Sequence, residues 1–495
     1  MEEKDDRYSH ILKYTGIFGG VQGLGILVGL VRTKLVAWLL GPEGYGLVAL
    51  FNSTIKTVSD STNLGLSMSA VHEISDAYEK NEGRRLEHSV KLIRSWSLLT
   101  ALLGMLVCLV MSPLLNKWTF NWGDHTLHFV LLSPVVGLMA ITGGEMAVLK
   151  ATRQLRQLAA ISIYAMIGSL LITVPLYYFW REAAIVPSLF AVALLQMLLA
   201  IGYSYRLYPL RVSFSRSLLG EGLGMVWLGI AFAVAGIMGS GAELFIRAYL
   251  NNADSLDAVG LYSFGYMMTM TYAGMVFSAM DTEYFPRLSA IPDLGKRFND
   301  AVNSQIEVCL LLISPMLVAF MTGLPILLPL LSSGKFIPIL GMMQVMVLAI
   351  FMRAIEFPLS YIPLARGASW SYMLMEGCYD VAIVVFVIFG FSHWGLIGTG
   401  IAVVLAAVFD LLILYFYMHW RFHYRLSASV IRYVALLLPI VLLSYATTFI
   451  SNPWLYWGSG FALFVLSATI SLKILQKKTH IVENLLTKLK QLWRK

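Results

Sequence analysis

Residues 24–50 read LGILVGLVRTKLVAWLLGPEGYGLVAL. Two apolar runs flank the sequence Gly41-Pro42-Glu43-Gly44, and the first run carries Arg32 and Lys34 in its interior. Glycine and proline punctuate helices, so the short Gly-Pro-Glu-Gly step ends one helix and starts another. A bilayer-spanning helix needs about 20 mostly apolar residues. The stretch therefore reads as a membrane hairpin with basic residues embedded in it. An ionised side chain at the bilayer centre costs about 2.5–3.5 kcal/mol on insertion scales, so such residues face a bundle interior or water.

The same pattern fills the chain. Of its 495 residues, 58% are hydrophobic and 13% charged, against about 25% charged in soluble proteins. The mean hydropathy is +0.73. Apolar runs of spanning length fall near 15–40, 45–70, 95–115, 127–149, 158–180, 184–205 and 222–250. They continue near 257–282, 302–325, 338–364, 371–391, 396–420, 431–451 and 454–473. The expected fold is an all-α polytopic membrane protein of about fourteen helices. The acidic start MEEKDDRYSHILKY lacks the short apolar core of a cleaved signal, so the first span is expected to persist.

The net charge of +8 does not mark a nucleic-acid binder, because the basic residues lie in separate loops rather than one patch. With the N-terminus placed in the cytoplasm, cytoplasmic segments hold 28 of the 36 basic residues, among them Arg84, Arg85, Lys91 and Arg94 of the first loop. The opposite side holds Lys117, Arg181 and Lys335. This bias predicts a multi-pass membrane protein with both termini in the cytoplasm. Trp118, Trp122, Trp180, Trp394 and Trp454 fall near the periplasmic edge, as interfacial aromatics do. Cys108, Cys309 and Cys378 lie inside apolar spans and give neither a disulfide framework nor metal spacing. The tail 474–495 repeats Ile481, Leu485, Leu489 and Leu492 at helical spacing, with basic residues off that stripe. It reads as a basic amphipathic helix on the membrane surface.

Landmarks recur. Arg32 precedes Gly46, and Arg247 precedes Gly260, each time with an acid (Glu43, Asp257) and a Gly-Leu step opening a new span. Arg153 in LKATRQ answers Arg366 in PLARGAS. The offsets are 215, 214 and 213 residues. Six spans is an even number, so the halves keep one orientation, which predicts parallel repeats about an axis along the membrane normal. The expected division is 1–217 and 218–430 as two six-helix lobes, 431–473 as two added helices, and the 474–495 tail.

LLGPEGYGLVAL (39–50), NLGLSMSAVHEIS (63–75), DAVGLYSFGYMM (257–268) and HWGLIGTGIA (393–402) resemble the polysaccharide transport family of the multidrug/oligosaccharidyl-lipid/polysaccharide superfamily. That family contains the O-antigen and related lipid-linked oligosaccharide flippases. The resemblance spans nearly the whole chain, but its motifs are mainly structural and do not identify the glycan. It implies two lobes around a cationic cavity, working by alternating access. The cargo would be an undecaprenyl-pyrophosphate-linked repeat unit moved from the cytoplasmic to the periplasmic leaflet. It also implies membrane lipids and the polysaccharide polymerase machinery as partners, and no enzymatic activity, metal or cofactor.

Arg32, Lys56, Arg247 and Arg353 are the candidate substrate-binding residues, since a guanidinium fork matches a phosphate with two parallel hydrogen bonds. Helical spacing offers internal partners to three of them: Asp60 to Lys56, Glu243 to Arg247 and Glu356 to Arg353. Arg32 has no acid within a turn and is the first choice. Lys34 is placed to snorkel outward. Glu145, Glu307, Glu376, Asp380 and Asp410 also lie in or near spans. Of these, Glu376 and Asp380, four residues apart, and Glu145 are candidates to carry a coupling H+ or Na+. A cationic drug antiporter of the same superfamily would favour an acidic, aromatic site instead. A membrane polymerase or ligase would be expected to carry a sizeable periplasmic loop, whereas the longest one here is near 112–126.

Overall fold

The computed structural model describes residues 25–476, apart from 81, 121–122, 272, 275–276, 278–283 and 286. The tail helix expected over 474–495 and part of the span expected over 257–282 lie outside the described residues, as does Trp122. The first eight helices are α1 (Glu2–Thr62), α2 (Leu66–Glu79), α3 (Gly83–Thr119), α4 (Thr126–Ala151), α5 (Leu155–Trp180), α6 (Ile185–Leu207), α7 (Arg216–Ala253) and α8 (Leu256–Tyr266). Then follow α9 (Lys296–Leu331), α10 (Leu340–Ala365), α11 (Ser369–Phe422), α12 (Ala428–Thr447) and α13 (Pro453–Lys478).

Ten helical stretches among the described residues are long and apolar enough to cross a membrane. Three of them bend into two arms. Helix α1 bends at Gly41 (φ 69°, ψ −173°) and α11 at Gly395 (φ 59°, ψ −142°), both in the left-handed region that glycine tolerates. The α5–α6 stretch bends at Arg181 (φ 46°, ψ −126°). The chain is an all-α, multi-pass membrane protein. Its large outward aromatics fit lipid as solvent: Trp118, Trp180, Trp394 and Trp454 are each more than half exposed, at helix ends or bends.

The helices form two compact units, residues 1–264 with 331–336, and 265–330 with 337–495. In the first, α2, α3 and α4 close over Leu66, Ala70, Ile74, Ile93 and Val148, joined by Leu218 from α7. One ion pair is buried among these helices. Arg94 Nε donates to Glu145 Oε1 (2.9 Å) and Nη2 to Oε2 (3.1 Å), while Ser204 Oγ donates to Oε2 (2.6 Å). The four basic residues expected in the first loop, Arg84, Arg85, Lys91 and Arg94, all lie on α3, and Arg94 is 3% exposed. The buried pair ties α3, α4 and α6, and Arg94 Nη1 also holds the 208–215 connection through Pro209 O (2.9 Å).

Two glycine crossings pack the second arm of α1, residues 42–62 and on to Gly65, against α7 and α8. A side chain on Gly46 would run into the Leu256 carbonyl oxygen, and one on Gly260 into that of Pro42. Further along, Gly65 (φ 68°) meets the backbone of Gly229 in the same reciprocal way. Small residues permit such backbone approach in lipid, where close packing is the main driving force between helices.

In the second unit α10 packs along α11, and Gly400 meets the Met342 backbone. Asn303 secures the α11–α12 connection: it accepts from Tyr424 Oη (2.9 Å) and Ser427 N (3.0 Å) and donates to Arg425 O (3.0 Å).

Element boundaries recur at one spacing. Helices α4 and α10 each have 26 residues and start 214 residues apart. Helix α5 and the first arm of α11 also start 214 apart. The positive φ values of Arg153 (54°) and Arg181 (46°) recur at Gly367 (65°) and Gly395 (59°), again 214 apart. At this spacing Gly367 falls opposite Arg153, and Arg366 falls opposite Thr152, with similar backbone angles (φ −103°, ψ 6° and φ −88°, ψ 13°).

Candidate functional site

In the first unit the embedded charges form a chain across two helices. Lys56 Nζ donates to Glu243 Oε1 at 3.1 Å, and Arg247 Nη1 donates to Glu243 Oε2 at 3.2 Å. Arg247 Nε reaches Ser263 Oγ on α8 at 3.2 Å. The i,i+4 pairing of Glu243 with Arg247 is as the spacing proposed. Lys56 is different: its ammonium crosses to Glu243 on α7 instead of staying with Asp60, whose carboxyl faces Ser240. The two cations share this carboxylate, and the Asp60 carboxyl lies close enough to act on both Lys56 and Glu243. Lys56 and Glu243 remain 49% and 42% exposed, so both can meet a ligand. Lys56 lies ten residues beyond Gly46 and nine before Gly65, about 15 Å from either crossing along the arm.

Arg32 sits on the first arm of α1, half-buried, and makes no ion pair among the described residues. It lies near Tyr177 of α5, whose hydroxyl bonds Ser188 Oγ (2.7 Å). Lys34 is exposed on the same arm. Glu145 is committed to Arg94 and Ser204, with its carboxylate oxygens used in a site 3% exposed. That environment accounts for it as a structural charge.

The second unit holds a cavity of about 230 Å³, lined by Arg353 and Glu356 of α10, Tyr372, Glu376 and Tyr379 of α11's first arm, and Asp410 of its second. Arg353 does not pair with Glu356 by an ion pair of ordinary length. It donates from Nη2 to Tyr379 Oη (2.7 Å) and lies over the ring, 5.4 Å from the centroid. The Asp410 carboxyl lies beside that of Glu356, and Glu376 lies beside Tyr372. Arg353 Nε and Glu356 Oε2 are buried with no hydrogen-bond partner among the described residues. Three carboxyl groups thus surround one guanidinium. Glu376 turns toward Glu356 and Arg353, and Asp380, one turn on, is buried outside the cavity lining. Tyr379 and the grouping of Glu356 with Asp410 had no signal in the sequence, because 54 residues and a helix bend separate the two acids.

Among the described residues no group of three His, Cys, Asp or Glu side chains is placed to hold a metal ion. No curated protein matches the sequence. Solved structures with this fold include the lipid II flippase MurJ in an inward closed conformation, at 13% identity and TM-score 0.72, covering 94% of this chain and 99% of that one. A multidrug resistance MATE family transporter of the MOP superfamily, inward-facing, aligns at 14% identity and TM-score 0.65, over 80% of this chain and 94% of the other. A MOP superfamily transporter from Pyrococcus furiosus, described as having a binding pocket of reversed polarity, aligns at 14% and TM-score 0.57, over 83% and 94%. At such identities these likenesses establish the fold alone. The family model described as polysaccharide biosynthesis protein matches residues 35–341, more than half of the sequence. The chain belongs to that polysaccharide biosynthesis protein family.

Proposed function

We propose that this protein is a flippase for undecaprenyl-pyrophosphate-linked oligosaccharides, such as O-antigen or related repeat units. It moves them from the cytoplasmic to the periplasmic leaflet of a bacterial inner membrane by alternating access. In this reading the chain has fourteen spans, both termini in the cytoplasm, and two parallel lobes. The recurrence of helix ends and positive-φ residues at 214-residue spacing supports the repeat. The observation that carries the reading is Arg32: an arginine within a spanning helix of a polysaccharide biosynthesis protein, without an ion-pair partner among the described residues. A pyrophosphate carries about two negative charges, and burying them without partners is prohibitive. Arg32 provides a guanidinium fork without an ion-pair partner among the described residues, and the exposed Lys56 ammonium lies on the same helix.

Arg353 has a different task. Its acid-rich cavity would repel a pyrophosphate, so we assign it, with Glu356, Glu376 and Asp410, to the coupling ion. Carboxyl groups gathered in one cavity can take up and release H+, which we take as the coupling ion. The acids and tyrosines also raise the second reading, a cation–drug antiporter. The cavity volume of about 230 Å³ lies below the roughly 300–1,000 Å³ of drug-sized sites.

Deleting the gene tests the assignment in cells. Lipid-linked repeat units should accumulate in the cytoplasmic leaflet while the corresponding surface glycan disappears. Unchanged surface glycan, together with new sensitivity to cationic dyes, would favour the antiporter.

A further inference from the structure

Helices α3 and α7 meet near both of their ends. At one end the indole of Trp96 lies against Gly222. At the other, Asn251 Nδ2 donates to Thr119 O (2.7 Å) and Asn252 Nδ2 donates to Trp118 O (3.0 Å). Between these contacts α7 takes 29 residues, Gly222 to Asn251, and α3 takes 23, Trp96 to Thr119. The surplus of six residues is about 9 Å of helix, so the two do not lie flush. They part around a cavity of about 500 Å³, lined by Leu115 and Thr119 of α3 and by Gly241, Phe245, Ala248 and Asn252 of α7. Trp118 and Phe245 at its mouth are 58% and 53% exposed, so it opens to the outside.

The α7 lining residues recur at intervals of four, three and four, which is one helix face. Glu243 and Arg247 fall on the opposite face at 3.6 residues per turn, so the groove opens away from the embedded cations. From Gly241 to Asn252 it runs about 16 Å, half of the roughly 30 Å hydrocarbon core. Its walls are apolar along most of that length, and its amide, Asn252, lies at the helix end. An apolar cavity holds water poorly, and one this large left empty would forfeit the dispersion contacts of close packing. Lipid is the solvent at its mouth, and the depth is that of one chain from one leaflet. The polar end is acidic along the chain: Asp254 and Asp257 follow Asn252, both exposed. Lys117 falls on the far side of α3 from Leu115 and Thr119. An anionic headgroup is therefore disfavoured there and an ammonium favoured.

We propose that the α3–α7 groove binds one acyl chain of a phospholipid with an ethanolamine headgroup, whose ammonium faces Asp254. The orientation given above places this lipid in the periplasmic leaflet. The site does not depend on the identity of the cargo.

The test uses full-length protein in nanodiscs of phosphatidylethanolamine and phosphatidylglycerol, with a tracer phosphatidylethanolamine carrying a diazirine at one chain end. After illumination, labelled peptides are located by mass spectrometry. Label should concentrate on α7 around Gly241–Phe245 and on the last turns of α3, above the level around Trp227, which is 73% exposed. A Cβ on Gly241 meets nothing within 4 Å, so Gly241→Leu adds a side chain to the groove without a clash. It should lower labelling there about tenfold, by filling space that the chain end uses. Unlabelled phosphatidylethanolamine should compete about threefold better than phosphatidylglycerol, the size of one exposed charge pair, and Asp254→Asn should erase that preference. Label spread evenly over exposed faces, or unchanged by Gly241→Leu in monodisperse protein, overturns the site. Equal competition by the two phospholipids overturns the ethanolamine headgroup. Stronger competition by undecaprenyl phosphate than by phosphatidylethanolamine would make the groove a site for a prenyl carrier and overturn the phospholipid assignment.

Discussion

Replacing Arg32 with alanine should remove most surface glycan from a flippase-null strain complemented with the variant, at unchanged protein level. Arg32 is half-buried within a spanning arm and carries a charge that no described acid neutralises. Its placement in lipid is unfavourable unless a ligand or water meets it. Charge-assisted hydrogen bonds contribute about 1.5–3 kcal/mol each. Their loss at the step that desolvates the pyrophosphate should slow flipping by roughly ten- to a hundredfold. Arg32→Lys keeps the charge and loses the planar fork, so it should fall between wild type and Arg32→Ala. Lys56→Ala should be milder, because Arg247 remains paired with Glu243 and holds part of the site together. Normal glycan from Arg32→Ala at normal expression would make the residue structural, with Tyr177 as the neighbour to examine.

Asp410→Asn should uncouple transport. Asparagine keeps the size of the side chain but removes one of the three carboxyl groups of the cavity. In proteoliposomes under an imposed pH gradient, driven transport should drop by about tenfold or more, a change of 1.4 kcal/mol per decade. Downhill exchange without a gradient should persist. Glu356→Gln should behave likewise, since it removes another of the three. Glu376→Gln should have a smaller effect, because Tyr372 continues to occupy its position. An Asp410→Asn protein that responds to the gradient as wild type does would remove the cavity from the coupling step. A response to Na+ but not to pH would reassign the ion and leave the site in place.

Much of the fold is legible in the sequence because lipid imposes a simple rule: long apolar runs, interrupted by Gly-Pro or basic segments, become helices. The step at Gly41 and the Gly-rich HWGLIGTGIA both prove to be single-glycine bends within continuous helical stretches. Side-chain partners are less legible. Spacing along one helix finds Glu243 for Arg247. It cannot find Glu243 for Lys56, because that pair joins helices 187 residues apart in sequence. The same holds for Arg353, which takes Tyr379 across a helix pair although Glu356 is nearer in sequence. Arg94 is concealed for another reason. Its neighbours Arg84 and Arg85 are exposed and Lys91 is half-buried on the same helix, and only the packing of α3 on α4 and α6 separates it from them. Three sequence landmarks suggest a repeat at spacings of 213–215 residues, whereas the positive-φ residues Arg153 and Gly367, and Arg181 and Gly395, share the single spacing of 214, because a left-handed turn can be made by arginine or glycine.

The most direct measurement of the proposed function is translocation itself. The purified protein is reconstituted into proteoliposomes containing fluorescent undecaprenyl-pyrophosphate-linked oligosaccharide, and the lipid exposed on each leaflet is followed by a membrane-impermeant quencher. The wild-type protein should move the lipid between leaflets well above protein-free vesicles, and Arg32→Ala should approach the protein-free rate. Wild-type vesicles indistinguishable from protein-free ones, when the same vesicles expel a cationic dye against a pH gradient, would contradict the flippase assignment.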